Sequence, residues 1–128
     1  MRKNPKERIR KQADKAWQQA IALKWGMLCE SCGKVGNVGH HYYPKGSHPS
    51  LRYDLDNGTY LCQACHFLHH TKDEPDIMER VRTKRGKGWL NKLKKKSLII
   101  GAQTNGIKWF EDNLKKLNDD WFTFRYYK

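Results

Sequence analysis

Three short segments decide the fold: CESC at 29–32, HH at 40–41 and LCQACHFLHH at 61–70. All four cysteines of the chain lie in the two Cys-x-x-Cys pairs, and all six histidines lie between positions 40 and 70. A Cys-x-x-Cys turn presents two thiolates from one short piece of backbone, and Zn²⁺ takes four such ligands in a closed tetrahedral site. The two pairs therefore predict one structural zinc site, with the ligands Cys29, Cys32, Cys62 and Cys65.

The histidines need a second explanation, because the cysteines already complete the zinc site. His66 and His70 are four residues apart on a predicted helix, so their side chains lie one turn apart on the same face. One helix commonly gives two imidazoles to one metal in this way. His40 and His41 are adjacent on a predicted strand and point to opposite faces, so we expect them to have different roles.

The composition indicates a polyanionic partner. The chain has 128 residues, with 26 Lys and Arg against 13 Asp and Glu and a formal net charge of +13. Such an excess favours nucleic acid or, less directly, an anionic membrane surface. No apolar run approaches the roughly 20 residues that span a bilayer. The basic N-terminus is not followed by the apolar segment of a secretory signal. We therefore expect a cytoplasmic protein with reduced, metal-bound thiols.

Hydrophobic periodicity predicts how the zinc-binding stretch begins and continues. An N-terminal basic helix is expected over about 5–25, with Gly26 as its stop. Its basic face is either simply solvated or in contact with phosphates. Short strands are expected at 40–43 and 58–61, and a helix is expected over 63–70. The sequence thus reads as strand, loop, strand and helix around a zinc knuckle.

The remainder of the chain predicts a C-terminal helical extension over about 76–128. Helices are expected at 76–81 and 107–117. The segment 82–96 contains eight basic residues and no acidic residue. The aromatic tail at 121–127 fits either a strand or a packing strap. The predicted fold class is α+β, with a single domain over 1–128.

Taken together, three motifs resemble one family. Gly39-His40-His41-Tyr42, Asn57-Gly58 and Leu61-Cys-x-x-Cys-His66-x-x-x-His70 are similar to the HNH endonucleases of the ββα-metal, or His-Me finger, fold, of the type with two Cys-x-x-Cys knuckles. The segment 45–53 further resembles phage HNH proteins, including NinG-type recombination endonucleases. The resemblance covers about 27–71 and implies a small ββα-metal core with a four-cysteine zinc knuckle, flanked by N- and C-terminal helices.

The resemblance implies metal-dependent hydrolysis of DNA phosphodiester bonds, by nicking or by double-strand cleavage. His41 would be the general base that takes a proton from the attacking water, and Asn57 would tie the hairpin loop so that His41 keeps its aim. A divalent cation, which could be Mg²⁺, Mn²⁺, Zn²⁺ or Ni²⁺, would be held by His40, His66 and His70. For a phage-encoded chain the compartment would be the host cytoplasm.

One ligand has an alternative. His69 lies three residues after His66, which is also a neighbouring position on a helix. The family spacing His-x-x-x-His favours His70 over His69.

Cationic side chains near the implied site are candidates for phosphate contacts, since phosphoryl chemistry uses such groups. The predicted nucleic-acid-binding residues are Lys45, His48, Arg52, Arg82, Lys84, Arg85 and Lys87, of which the last four belong to the basic segment 82–96. His48 is either a phosphate contact or simply solvated. The protein would act on DNA as a monomer or a homodimer.

Two other functions fit parts of the pattern. A non-catalytic, zinc-stabilised DNA-binding module would explain the charge and the cysteines, but it does not need the histidine set or Asn57. A cysteine-based redox protein fits less well, because there are two Cys-x-x-Cys pairs and neither has a thioredoxin-like βαβ pattern around it. The endonuclease is therefore the favoured hypothesis.

Overall fold

A short β-hairpin lies between an N-terminal helix and a helix that carries the second cysteine pair. The computed structural model describes residues 4–71, 75–99 and 104–126. Within them the fold is α+β, mainly helical with one two-stranded sheet, which confirms the predicted class. The elements are α1 (Pro5–Lys24), β1 (Val38–His41), β2 (Gly58–Leu61), α2 (Gln63–Thr71), α3 (Pro75–Arg85), α4 (Lys87–Ser97) and α5 (Ile107–Tyr126), with 3₁₀ turns at Pro49–Leu51 and Leu55–Asn57.

Helix α1 packs against one face of the hairpin. The Asn4 side chain caps it by accepting a hydrogen bond from the Glu7 amide at 2.8 Å. Its buried stripe includes Trp17 and Ile21, which pack against the sheet and α5. A Cβ at Gly58 would overlap the Ile21 side chain, so glycine at this position permits the close approach of helix and strand.

The hairpin is antiparallel, with His40 opposite Thr59 and His41 opposite Gly58. The second strand is confirmed at 58–61, whereas the first strand, predicted at 40–43, spans 38–41. Tyr42 and Tyr43 lie in a bend instead, because the amide of Tyr43 donates to the Asn57 side chain rather than to the neighbouring strand. Between the two strands, residues 51–53 form the end of a 3₁₀ turn and its continuation.

The C-terminal region is more helical than predicted. α3 continues four residues past 81, and the basic segment after it forms α4. The tail at 121–126 is neither a strand nor a strap but the end of α5. At helical spacing Phe110, Leu117 and Phe124 all face the hydrophobic cluster built on α1. Burial of this face explains why 121–126 continues the helix. Tyr127 lies outside the described residues. Among the described helices, none has the length and apolar character needed to cross a membrane.

A buried ion pair ties α3 to the hairpin. The side chains of Arg85 and Glu30 are only 5% and 4% exposed. Arg85 also donates to the Gly58 carbonyl at 2.6 Å, and its guanidinium stacks between Trp25 and Trp89 at 4.2 and 4.7 Å from the ring centroids. The side chain is enclosed by protein groups that use its charge and its donors, so its surroundings do not support the prediction that Arg85 contacts nucleic acid.

We expect Arg85→Met to lower the free energy of unfolding by about 3–5 kcal/mol, because it leaves the Glu30 carboxylate buried without its partner. Denaturant unfolding monitored by circular dichroism measures the change. Arg82→Met is the matched control: its partner Glu79 is 64% exposed, so we expect a loss below about 1 kcal/mol. Adding Glu30→Gln to Arg85→Met removes the stranded charge and restores part of the loss. Equal stability of Arg85→Met and the parent would contradict this interpretation of the pair.

Candidate functional site

The four cysteines converge as the spacing predicts. Their sulfur atoms all lie within 4.8 Å of one another, and the sulfurs of Cys32 and Cys62 are 3.6 Å apart. Four sulfurs at about 2.3 Å from one zinc ion in a tetrahedron are separated by about 3.8 Å, so the cluster fits this ion. Three of the four are buried, and Cys32 is exposed.

The protonation chemistry of the cysteines also fits a cation. Burial alone would raise the pKa of Cys29, but hydrogen bonds with the backbone of Cys32, Cys62 and Ser31 lower it to about 7. Burial and the neighbouring thiols raise the pKa of Cys65 to about 12. A cation between four sulfurs this close stabilises their thiolate forms, so the cluster is compatible with a structural metal ion such as zinc.

The second cluster consists of imidazoles from β1 and α2. Ligand nitrogens of His40, His66 and His70 lie within 4.8 Å of one another. The Nε2 atoms of His66 and His70 are 2.9 Å apart, as expected for residues one helical turn apart. Burial and the neighbouring imidazoles of His69, His70 and His66 lower the pKa of His40 to about 3. A neutral imidazole is the form that binds metals, so the cluster is suited to a cation at neutral pH.

His69 lies beside this cluster. Its ring centroid is 4.9 Å from that of His40, close to the 5.0 Å between His40 and His70. The converging set of ligand nitrogens contains His70 and not His69. The residues His66 and His70, at the spacing His-x-x-x-His, therefore belong to the converging set.

His41 faces the opposite side of the hairpin from His40. Its ring is stacked on Trp17, with centroids 4.1 Å apart and planes 1° from parallel. Its Nε2 is 2.8 Å from the carbonyl oxygen of Arg52. A carbonyl can only accept, so Nε2 carries the hydrogen, and in the neutral ring Nδ1 is left as the acceptor. Burial lowers the pKa of His41, which keeps the ring neutral at pH 7.

Asn57 connects two parts of the loop between β1 and β2. It is fully buried. Its Oδ1 accepts from the Tyr43 amide at 2.8 Å, and its Nδ2 donates to the carbonyls of Tyr43 and Leu51 at 3.0 and 3.1 Å. Every polar atom of this side chain has a backbone partner, so Asn57 fixes the loop that carries the Arg52 carbonyl.

A small cationic cavity lies beside His41. Its volume is about 190 Å³, and its lining includes His41, Lys15, Lys45, Arg52 and Asp14. The guanidinium of Arg52 makes a two-point ion pair with Asp14, at 2.9 and 2.7 Å. The surroundings of Arg52 therefore do not support the prediction that it clamps a phosphate, since a carboxylate already accepts from its Nε and Nη2.

The other predicted nucleic-acid contacts have varied surroundings. Lys45 and Lys87 are both exposed. Lys84 donates to the Glu30 carbonyl at 2.8 Å, and Arg82 pairs with Glu79. The ring of His48 lies 4.8 Å from that of Tyr43. The structure thus brings Lys45 to His41 and places Arg82, Lys84 and Lys87 along α3 and the start of α4.

Sequence reasoning missed the contribution of α1 to this site. Trp17 is a buried residue of α1, and its ring forms one wall of the His41 environment. Gln18 accepts from the Gly39 amide at 2.7 Å and donates to the Gly39 carbonyl at 3.0 Å, which fixes the strand just before His40. A polar residue next to a buried Trp is too common a signal to indicate such a contact.

We expect Cys62→Ala to unfold or aggregate and to lose zinc, because the binding energy of a structural metal is also folding energy. Thermal melting and elemental analysis of the purified protein measure both effects. His66→Ala is the comparison variant, and it should keep the fold and the thiolate-bound zinc. A soluble Cys62→Ala protein with the parent's thermal stability would show that the thiolates hold no essential metal.

Comparisons with family models, with curated proteins and with solved structures find no match to this chain.

Proposed function

We propose that the protein is a metal-dependent endonuclease of phage type that hydrolyses phosphodiester bonds of DNA, with the hairpin and α2 forming an HNH-type ββα-metal core. One observation carries the proposal: two adjacent histidines have opposite environments. His40 joins the imidazoles of α2, whereas His41 is stacked on Trp17 with one nitrogen committed to a carbonyl. A zinc-stabilised binding module needs neither arrangement.

His41 has the properties of a general base. A histidine that acts as a general base must be neutral, its ring must be held in a fixed orientation, and the nitrogen that accepts the proton must carry no hydrogen. The lowered pKa favours the neutral ring, and the Arg52 carbonyl selects the tautomer in which Nδ1 accepts. The stack on Trp17 fixes the ring plane. In this role Nδ1 takes the proton of the attacking water.

His40, His66 and His70 would hold the catalytic cation. Three neutral imidazoles suit Mn²⁺, Zn²⁺ or Ni²⁺ better than Mg²⁺, which prefers oxygen ligands. When bound, a divalent cation in such a site neutralises charge on the scissile phosphate and on the leaving oxygen. The four-cysteine site has no open position and would have a structural role only.

The charge around His41 suits a phosphodiester. Lys15 and Lys45 line the cavity beside it, and neither makes an ion pair within the described residues 4–71, 75–99 and 104–126. The net charge of +13 supports the same class of substrate. The choice of DNA over RNA rests on the resemblance of 27–71 to HNH endonucleases. One such site cuts one strand per encounter, so double-strand cleavage would need a homodimer or two visits.

We expect His41→Ala to lower DNA cleavage by about 10²–10⁴-fold, the usual contribution of a positioned proton acceptor. The variant should fold, bind DNA and keep both metals, because His41 is in neither cluster. The assay follows nicking of supercoiled plasmid with Mg²⁺, Mn²⁺, Zn²⁺ or Ni²⁺, and DNA affinity is measured in parallel.

Asp112→Ala is the control, since it removes an exposed side chain of α5 whose ion pair is with Lys108 and which belongs to neither cluster, and it should retain cleavage within a few-fold. His66→Ala should lose the catalytic cation together with activity. Parent-like cleavage by His41→Ala would reject His41 as the base. A parent protein that binds DNA but cuts nothing with any of these ions would favour the binding module.

A further inference from the structure

The carboxylate of Asp14, in α1, accepts three hydrogen bonds from side chains. Arg52 Nε and Nη2 donate to its two oxygens at 2.9 and 2.7 Å, and the Tyr53 hydroxyl donates to Oδ1 at 2.7 Å. Asp14 lies outside the stretch 27–71 that resembles HNH endonucleases. Its partners are consecutive residues, and the first of them supplies the carbonyl that accepts from His41. The carboxylate thus holds both side chains that flank this peptide unit.

The backbone around that carbonyl is fixed at further points. The Leu51 carbonyl accepts from Asn57 Nδ2 at 3.1 Å, and the Asp54 carbonyl accepts from Trp17 Nε1 at 3.3 Å. The Arg52 carbonyl lies between these two anchors. Without Asp14, the peptide unit between Arg52 and Tyr53 would be held by these two neighbouring carbonyls but not by its own two side chains.

The two partners of Asp14 are largely shielded from solvent, whereas the carboxylate itself is partly exposed. Tyr53 is buried, and its ring packs against Trp109 and Phe110 of α5, with centroids 5.3 and 6.0 Å away. Burial and the hydrogen bond to Asp14 raise the pKa of Tyr53 far above its usual value, so the hydroxyl remains a donor. The side chain of Arg52 is 19% exposed and that of Asp14 is 37% exposed. A two-point pair of this kind orients its partners better than a single contact does.

We propose that Asp14 is a positioning residue for the proposed cleavage reaction: through Arg52 and Tyr53 it holds the carbonyl that fixes the tautomer and direction of His41. This inference rests on the proposed endonuclease function for its catalytic meaning, but its structural part can be tested without nucleic acid. Residues that support a ligand or base in this indirect way typically contribute about 10–100-fold to activity.

Asp14→Asn tests the proposal, because it keeps an oxygen for one donor and removes the charge and the second acceptor that Arg52 uses. The first readout is the ¹⁵N spectrum of the His41 imidazole in the protein without nucleic acid. We expect the parent to show a single tautomer with hydrogen on Nε2 and the variant to show a mixture. The second readout is plasmid cleavage, where kcat should fall about 10–100-fold with KM changed less than about threefold.

Two further variants control the test. Glu7→Gln makes the same change of charge on the same helix, at a carboxylate whose ion pair is with exposed Lys11, and it should leave both readouts unchanged. Arg52→Lys keeps the charge but loses the two-point pairing, so it should reproduce the effect of Asp14→Asn. The double variant should be no worse than either single variant, because the two residues act through one contact.

The outcomes separate this proposal from the proposed function. A parent-like imidazole spectrum in both Asp14→Asn and Arg52→Lys overturns the positioning role, even if thermal stability falls. A shifted tautomer with unchanged cleavage also overturns it, since the carbonyl would then not matter to the reaction. If the parent cuts no DNA, the proposed function fails, while the spectrum still decides whether Asp14 positions His41. If Asp14→Asn does not fold, Arg52→Lys carries the same test.

Discussion

Convergence of four thiols is the constraint on which the geometry of the site depends. Cys29 and Cys32 lie before the hairpin, and Cys62 and Cys65 lie where β2 passes into α2. Gathering their sulfurs within 4.8 Å fixes where α2 starts and therefore where its later turns lie. The imidazoles of α2 are on the first turns after the second pair, so they are carried onto His40. A structural metal would thus build the second cluster indirectly, by setting the direction of one short helix.

The two faces of the hairpin lie in different environments, because adjacent side chains of a strand point to opposite faces. His40 faces α2 and its imidazoles, and His41 faces α1 and Trp17. α1 does more than cover the sheet, since it supplies the stacking ring and the clamp on Gly39. On the other side, the buried pair of Arg85 and Glu30 holds α3 against the strand that carries Gly58. The hairpin that carries the two histidines is therefore held on one side by α1 and on the other by α3.

Short-range spacing explains what could be predicted from the sequence. Cys-x-x-Cys pairs, histidines four apart and the strand at 58–61 depend on local geometry, and the structure places each where the spacing predicts. Contacts between distant residues could not be read in this way. The pairing of Asp14 with Arg52 joins positions 38 apart, and Arg85 is buried although it belongs to a basic run that resembles a solvated surface. The tail at 121–126 shows alternating aromatics, yet packing on α1 selects the helix.

The proposed function requires that one metal site stabilises the fold and that a separate one supports the cleavage reaction. Stepwise addition of a chelator tests this most directly, with plasmid nicking, zinc content and circular dichroism followed in the same samples. We predict that nicking disappears while one zinc per chain and the helical spectrum persist, and that added Mn²⁺ restores it. This order follows because three imidazoles hold a cation less tightly than four thiolates hold zinc. Loss of nicking only together with zinc and fold, or nicking that survives removal of the weaker metal, would contradict the claim.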